Sequence, residues 1–163
     1  MNGPAPIVDV ELRLEIHDLY AAYAMCLDHG ALEEWPEFFT EECVYKLVPR
    51  ENFDRGLPLA TLSFESRGML KDRVFGATQT LFHQPYYQRH IVSAIRITAV
   101  EGDAVRTEAN YLVVRTKKNE LSEVYNCGRY IDRIVRDAGR LRFAEKICVF
   151  DSELIPNSII YPI

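Results

Sequence analysis

The chain has 163 residues, 48% of them hydrophobic, with 9 Tyr, 8 Phe and 1 Trp. That length and apolar share suit one folded domain over residues 1–163 and exclude intrinsic disorder. Nineteen basic against 24 acidic residues leave a net charge of -5, which supplies no general attraction to nucleic acid, and no apolar run reaches the ~18 residues that span a bilayer.

Residues 1–8 carry two prolines and a glycine and read as a flexible or strand-like arm. Nothing there has the basic and apolar regions of a secretion signal. Cys26, Cys43, Cys127 and Cys148 are far apart and form no Cys-x-x-Cys pair, so free thiols in the cytoplasm are expected.

A helix is predicted over residues 9–28. Leu12, Ile16, Leu19, Tyr23 and Leu27 share one face, Asp9 can cap the start and Gly30 can stop it. Leu32, Trp35, Phe38 and Phe39 supply a second apolar face around Pro36, which suits a kinked pair of short helices. Glu42 to Val48 alternates as a strand, Pro49 to Pro58 reads as loop, and Leu59 to Glu65 as a short strand. Ser66 can cap a helix reaching about Leu81, with the stripe Leu70, Val74, Ala77 and Leu81.

From Pro85 to Asp151 the pattern is an antiparallel meander of about four strands. Its turns are Glu101-Gly102-Asp103, Lys117 to Glu120, and Asp137 to Arg140. Strands this long must coil, so bulges are expected. In residues 105–116 the set Val105, Ala109, Tyr111 and Val113 opposes Arg106, Glu108 and Asn110. Helices first and one long sheet last make an α+β fold: a curved, mainly antiparallel sheet with the N-terminal helices on its concave face. The segment from Leu154 to Ile163 is apolar without periodicity, so it packs on a neighbour or on its own domain.

The chemistry-bearing candidates are few. His17, His29, His83 and His90 show no two-histidine ligand spacing, and Cys26-x-x-His29 has no second pair to complete a metal site. Glycine-rich nucleotide loops and Gly-x-Ser-x-Gly are missing. Asp28 ends the first helix and His90 begins the meander, so a cone can bring them together. A carboxylate that orients an imidazole makes a general base, and Tyr20, Tyr23, Tyr45 or Tyr111 could hold a carbonyl or hydroxyl beside it. The competing reading is a structural clamp, with Arg89 as a further partner of Asp28. Arg129, Arg133, Arg136, Arg140 and Arg142 gather on the last hairpin, as a solvated face or a subunit interface.

Several segments, in order, carry a family resemblance. They are Leu32-Glu33-Glu34-Trp35-Pro36-Glu37-Phe38-Phe39, Cys43-Val44-Tyr45, Met69-Leu70-Lys71-Asp72-Arg73-Val74 and Arg89-His90. Gly128-Arg129-Tyr130-Ile131-Asp132 and Arg142-Phe143-Ala144-Glu145-Lys146 follow. Together they resemble the small (β) subunits of Rieske-type aromatic-ring-hydroxylating oxygenases. Pro49-Arg50-Glu51-Asn52-Phe53 and Gly56-Leu57-Pro58-Leu59-Ala60 point within that family to the small subunits of salicylate 5-hydroxylase and terephthalate dioxygenase.

The resemblance implies a cystatin-like cone, shared with nuclear transport factor 2, polyketide cyclases and scytalone dehydratase. It implies a large (α) subunit as partner, with three large and three small subunits in the assembly. The Rieske [2Fe-2S] cluster and mononuclear Fe(II) would sit in that large subunit, and NAD(P)H would feed them through a reductase and a ferredoxin. On this reading the chain has no catalytic residue, no cofactor, no metal, and no nucleic-acid or membrane partner. Arg129, Arg133, Arg136, Arg142, Ile159, Ile160, Tyr161 and Ile163 are its expected contact surface, and truncation after Asn157 should weaken assembly. The rival is a stand-alone SnoaL/scytalone-dehydratase-like enzyme that uses Asp28 and His90 for proton transfer; a binding-only cone is a third possibility.

Overall fold

A computed structural model describes residue 6, residues 8–152, residue 154 and residues 159–163. The expected arm at 1–8 falls mostly outside the described residues. Helix α1 (Val10–Asp28) begins at the predicted cap, where the Glu11 N–H donates to the Asp9 carboxylate at 3.3 Å. It buries Ile16, Leu19, Tyr20, Tyr23, Ala24, Cys26 and Leu27, a wider stripe than the predicted one. Gly30, at φ +70°, turns the chain out of the helix.

A single 3₁₀ helix, Leu32–Phe38, replaces the expected kinked pair. Leu32, Trp35 and Phe38 recur every three residues, the period of a 3₁₀ helix, so the tighter winding aligns them. Strand β1 (Phe39–Pro49) follows, with Tyr45 and Leu47 fully buried. The expected loop after it contains a short helix, α2 (Arg50–Asp54), whose Phe53 packs on Val48, Ile147 and Val149. Strand β2 is short (Leu62–Phe64).

Helix α3 (Arg67–Phe75) starts at Ser66, whose hydroxyl accepts the Met69 N–H at 3.2 Å. It ends six residues before the predicted Leu81 and widens into a π turn, Gly76–Thr80. The Thr78 and Thr80 hydroxyls donate to the carbonyls of Val74 and Gly76, a back-bonding that bends helices. Leu81 therefore leaves the stripe and is 45% exposed.

The meander is β3 (Tyr86–Glu101), β4 (Ala104–Lys117), β5 (Glu123–Asp137) and β6 (Arg140–Phe150). Six strands form one sheet in the order β2-β1-β6-β5-β4-β3, antiparallel throughout except for β1 on β6. Register shifts interrupt β3/β4 near Ser93–Ala99, β4/β5 at Val113 and β5/β6 at Arg133. They are the expected bulges, and they bend the sheet around α1. Tyr130, Asp132 and Ile134 face α1, and the alternating Arg129, Ile131 and Arg133 face away.

Gly128 marks a close crossing of β5 and β6. A Cβ there would stand 1.9 Å from the Val149 carbonyl oxygen and 2.9 Å from Phe150 Cα. Gly128→Ala is expected to cost roughly 1–3 kcal/mol, because the strands must part. Urea unfolding would read this as a lower midpoint; an unchanged midpoint would show that the strands part freely.

Candidate functional site

The inside of the cone is packed with rings. Trp35 lies 5.2 Å from Tyr45, Tyr23 5.6 Å from Phe143, and Tyr111 4.4 Å from Tyr130, centroid to centroid. The four tyrosines considered as substrate-holding groups are all occupied. The Tyr20 hydroxyl donates to Asp132 Oδ2 at 2.6 Å, Tyr23 and Tyr45 donate to the Ile163 carbonyl at 2.8 and 3.3 Å, and Tyr111 donates to Asn126 at 2.7 Å. Burial pushes the Tyr20, Tyr23 and Tyr45 phenols well above their ordinary range, so they stay protonated donors.

At the centre lies an ion pair that the sequence reading missed. Lys146 Nζ donates to Asp132 Oδ2 at 2.9 Å, and both side chains are fully enclosed. The ammonium stands 3.5 Å from the Tyr130 ring centroid and 4.4 Å from that of Phe143, within cation–π range. Tyr20 receives a hydrogen bond from Thr107 at 2.8 Å, since its own proton goes to Asp132. Burial raises the Asp132 carboxyl, while Lys146 and the Tyr20 hydroxyl pull it back down. The signal was present: Asp132 and Lys146 occupy the inward phase of their strands, in step with Tyr130, Ile134 and Cys148.

Asp28 and His90 do meet. His90 Nδ1 lies 2.7 Å from Asp28 Oδ1, and the His90 backbone N–H donates to the same carboxylate at 2.9 and 3.1 Å. Arg89 adds a contact at 3.7 Å. The dyad therefore ties the end of α1 to the start of β3. The imidazole is 0% exposed, and its Nε2 is buried without a hydrogen-bond partner among the described residues. A substrate cannot touch that nitrogen without a rearrangement of the walls.

The arginines do not form one patch. Arg129 pairs with Asp54 and Glu108 at 3.3 and 3.4 Å and lies over Phe53; Arg133 is on the same outer sheet face, opposite Glu145 in register. Arg136 turns toward α1 and pairs with Glu15, while Arg142 pairs with Asp137 at 3.3 Å and with Glu37. Arg140 is exposed at the turn.

The tail candidates turn inward. Ile159, Ile160 and Ile163 are buried within the chain itself at 7, 9 and 0% exposure. The segment closes the cone from within: the Tyr45 hydroxyl also accepts the Ile163 N–H at 3.1 Å, and Arg73 donates to the carbonyls of Ile159 and Ile160. Tyr161 alone of the four is partly open, and its hydroxyl meets His83 Nε2 at 2.8 Å.

No group of three or more His, Cys, Asp or Glu side chains converges as a metal site among the described residues. Cys26, Cys43 and Cys148 are buried and Cys127 is half-buried. Burial pushes Cys26 and Cys43 up to about 11 and Cys148 to about 12, which makes poor nucleophiles. No helix among the described residues is long and apolar enough to cross a membrane.

Comparison with known proteins adds the family. The SnoaL-like domain matches residues 8–146. The anthranilate 1,2-dioxygenase small subunit of Burkholderia cepacia is 37% identical over 155 residues, 95% of this chain and 96% of that one. Subunit beta 2 of the terminal oxygenase component of terephthalate 1,2-dioxygenase, from a Comamonas species, is 32% identical over 92% of this chain and 97% of its own length. A crystal structure from Novosphingobium aromaticivorans, assigned as the beta subunit of an aromatic-ring-hydroxylating dioxygenase, superposes with a TM-score of 0.85 at 37% identity, covering 95% of this chain and 100% of that one. With its open six-stranded sheet wrapped on α1 and this likeness over nearly its whole length, the chain belongs to the SnoaL-like small subunits of aromatic-ring-hydroxylating dioxygenases.

Proposed function

We propose that the chain is a non-catalytic small subunit that holds large oxygenase subunits in register, in a cytoplasmic complex that hydroxylates an aromatic acid. The relatives are named for anthranilate and terephthalate, both aromatic acids; salicylate is a third candidate of that class. The observation that carries the reading is the filled cone: Lys146, Asp132 and the rings around them occupy the interior that an enzyme of this shape would leave open. The large subunit would hold the Rieske [2Fe-2S] cluster and the mononuclear Fe(II), supplied with electrons from NAD(P)H by a reductase and a ferredoxin. Three large and three small subunits would make the complex. A rigid base fits that role, because electron transfer between subunits needs a fixed short distance.

In this arrangement the contact surface includes Arg129, Arg133, Arg136 and Arg142. Arg129, Arg136 and Arg142 are already held by carboxylates of their own chain. Fixed guanidinium groups lose little freedom on binding and can take a second, bidentate carboxylate from a neighbour. The bond between Asp28 and His90 favours a second reading, a stand-alone proton-transfer enzyme; the enclosure of Nε2 speaks against it.

Co-expression with a Rieske-type large subunit separates the two. The chain is expected to co-elute with that subunit, and aromatic-acid turnover should require both. His90→Ala should leave turnover per assembled complex within about twofold while it lowers the melting temperature. Turnover of an aromatic or polyketide substrate by the isolated chain, abolished by His90→Ala, would overturn the scaffold reading.

A further inference from the structure

Exposure and charge part company along one stretch of the chain. Residues 74–88 contain no Asp, Glu, Lys or Arg, although 26% of all residues are charged. Much of the stretch is nevertheless at the surface: Phe75 is 62% exposed, Tyr87 79%, and Phe82 fully. Exposed surface that lacks charge and is rich in aromatic rings has the composition of an interface centre, not of a solvated face.

Beside Phe82 the mouth of the cone is open. A chamber of about 680 Å³ lies between the end of α1, the π turn, the segment before β3 and Tyr161. Leu27, Leu32 and Ala77 line it and are themselves buried. Among its described lining residues there is no Lys, Arg or Glu, and Asp28 is already held by His90 and Arg89. The volume is in the ~300–1,000 Å³ range that admits small molecules, so a phenyl ring has room in it. One patch therefore carries a projecting ring and, next to it, an apolar hole.

A knob and a hole on the same patch are what a two-fold contact requires, because each chain gives what the other takes. A two-fold axis also sets each group of the patch near its own copy. A charged face would repel itself there; an uncharged one does not. The exposed parts of Phe82, Tyr87 and Leu81 offer roughly 400 Å² before the chamber walls are counted, against the ~800 Å² that one side of a standard interface buries.

We propose that the uncharged face at the cone mouth joins two copies of this chain, with Phe82 of each copy seated in the chamber of the other. The contact uses no residue of a large subunit, so it goes beyond the oxygenase partnership and does not rest on it.

Light scattering and sedimentation of the purified full chain over a range of concentrations test it. The parent should pass reversibly from one chain to two as concentration rises. Phe82→Ser removes the knob twice per dimer and should raise the dissociation constant at least about thirtyfold. Thr78→Trp fills the hole from an exposed position in its wall and should do the same with the knob intact. Mixed together, the two variants should associate more tightly than either does alone, because the intact Phe82 of one meets the open chamber of the other. A parent that stays monomeric up to about 100 μM, a dimer that both substitutions leave unchanged, or a mixture no tighter than its components would overturn the proposal. So would a monomeric parent whose Phe82→Ser variant no longer co-elutes with a large subunit, which would give the face to that subunit and leave the scaffold reading standing.

Discussion

Lys146→Ala is expected to lower the melting temperature by on the order of 10 °C or more at pH 8. The substitution leaves the Asp132 carboxylate enclosed without its ammonium, and breaking a buried pair on one side costs about 3–5 kcal/mol. Asp132 would keep the Tyr20 hydroxyl, which is too little to stabilise a full charge in that setting. The loss should depend on pH in a definite direction. Burial already raises the Asp132 carboxyl, and Lys146 opposes that rise; without Lys146 the carboxyl goes higher still. Between the unfolded and folded values the native variant holds a proton that the unfolded chain has released. Its stability therefore falls as pH rises through that window, and the variant should be closer to the parent at pH 5 than at pH 8. Lys146→Met with Asp132→Leu should recover most of the loss, because no charge is left buried. Thermal melts by circular dichroism at the two pH values check this; a variant within 2 °C of the parent at pH 8 would show that the pair is not the buried anchor of the core.

Truncation after Asn157 should prevent stable folding of the chain itself. It removes Ile159, Ile160 and Ile163, all buried in the cone. Emptying one such apolar site costs about 2–5 kcal/mol, and three together rival the ~5–15 kcal/mol that stabilise a whole domain. The Tyr23 hydroxyl also loses its acceptor, and Arg73 loses two carbonyls. The expected result is loss of the cooperative melting transition in the isolated chain, with any failure of assembly a consequence. Ile163→Ala gives the graded version, a destabilisation of roughly 2–5 kcal/mol. A truncated chain that melts like the parent yet no longer joins a large subunit would restore the segment to the contact surface.

The elements legible in the sequence are those with local causes. The α1 boundaries follow from the Asp9 cap and Gly30, the three hairpins from their turn residues, and the start of α3 from Ser66. The misread segments had competing local signals. Pro36 suggested a kink, whereas the three-residue spacing of Leu32, Trp35 and Phe38 chose a 3₁₀ helix. Prolines and a glycine around Arg50 to Asp54 suggested loop, whereas Phe53 found an apolar surface on β6 and held one turn of helix in place. Asp28 and His90 were legible as partners because one ends a helix and the other opens the sheet. That the imidazole is closed off was not, since enclosure depends on what packs over it.

Residue order alone determined the family, the helix-then-sheet layout and the inward phase of β4, because these rest on periodicity and on segments read along the chain. Tertiary structure alone decided what fills the cone. Asp132 and Lys146 are opposed across the last hairpin, but Tyr20 lies 112 positions from Asp132, and only the packing of α1 on the sheet brings its hydroxyl to the pair. The same holds for the closing segment. Its apolar residues required burial somewhere, but nothing local chose between a partner's surface and the chain's own interior; the hydroxyls of Tyr23 and Tyr45, which donate to the Ile163 carbonyl from two other elements, made that choice.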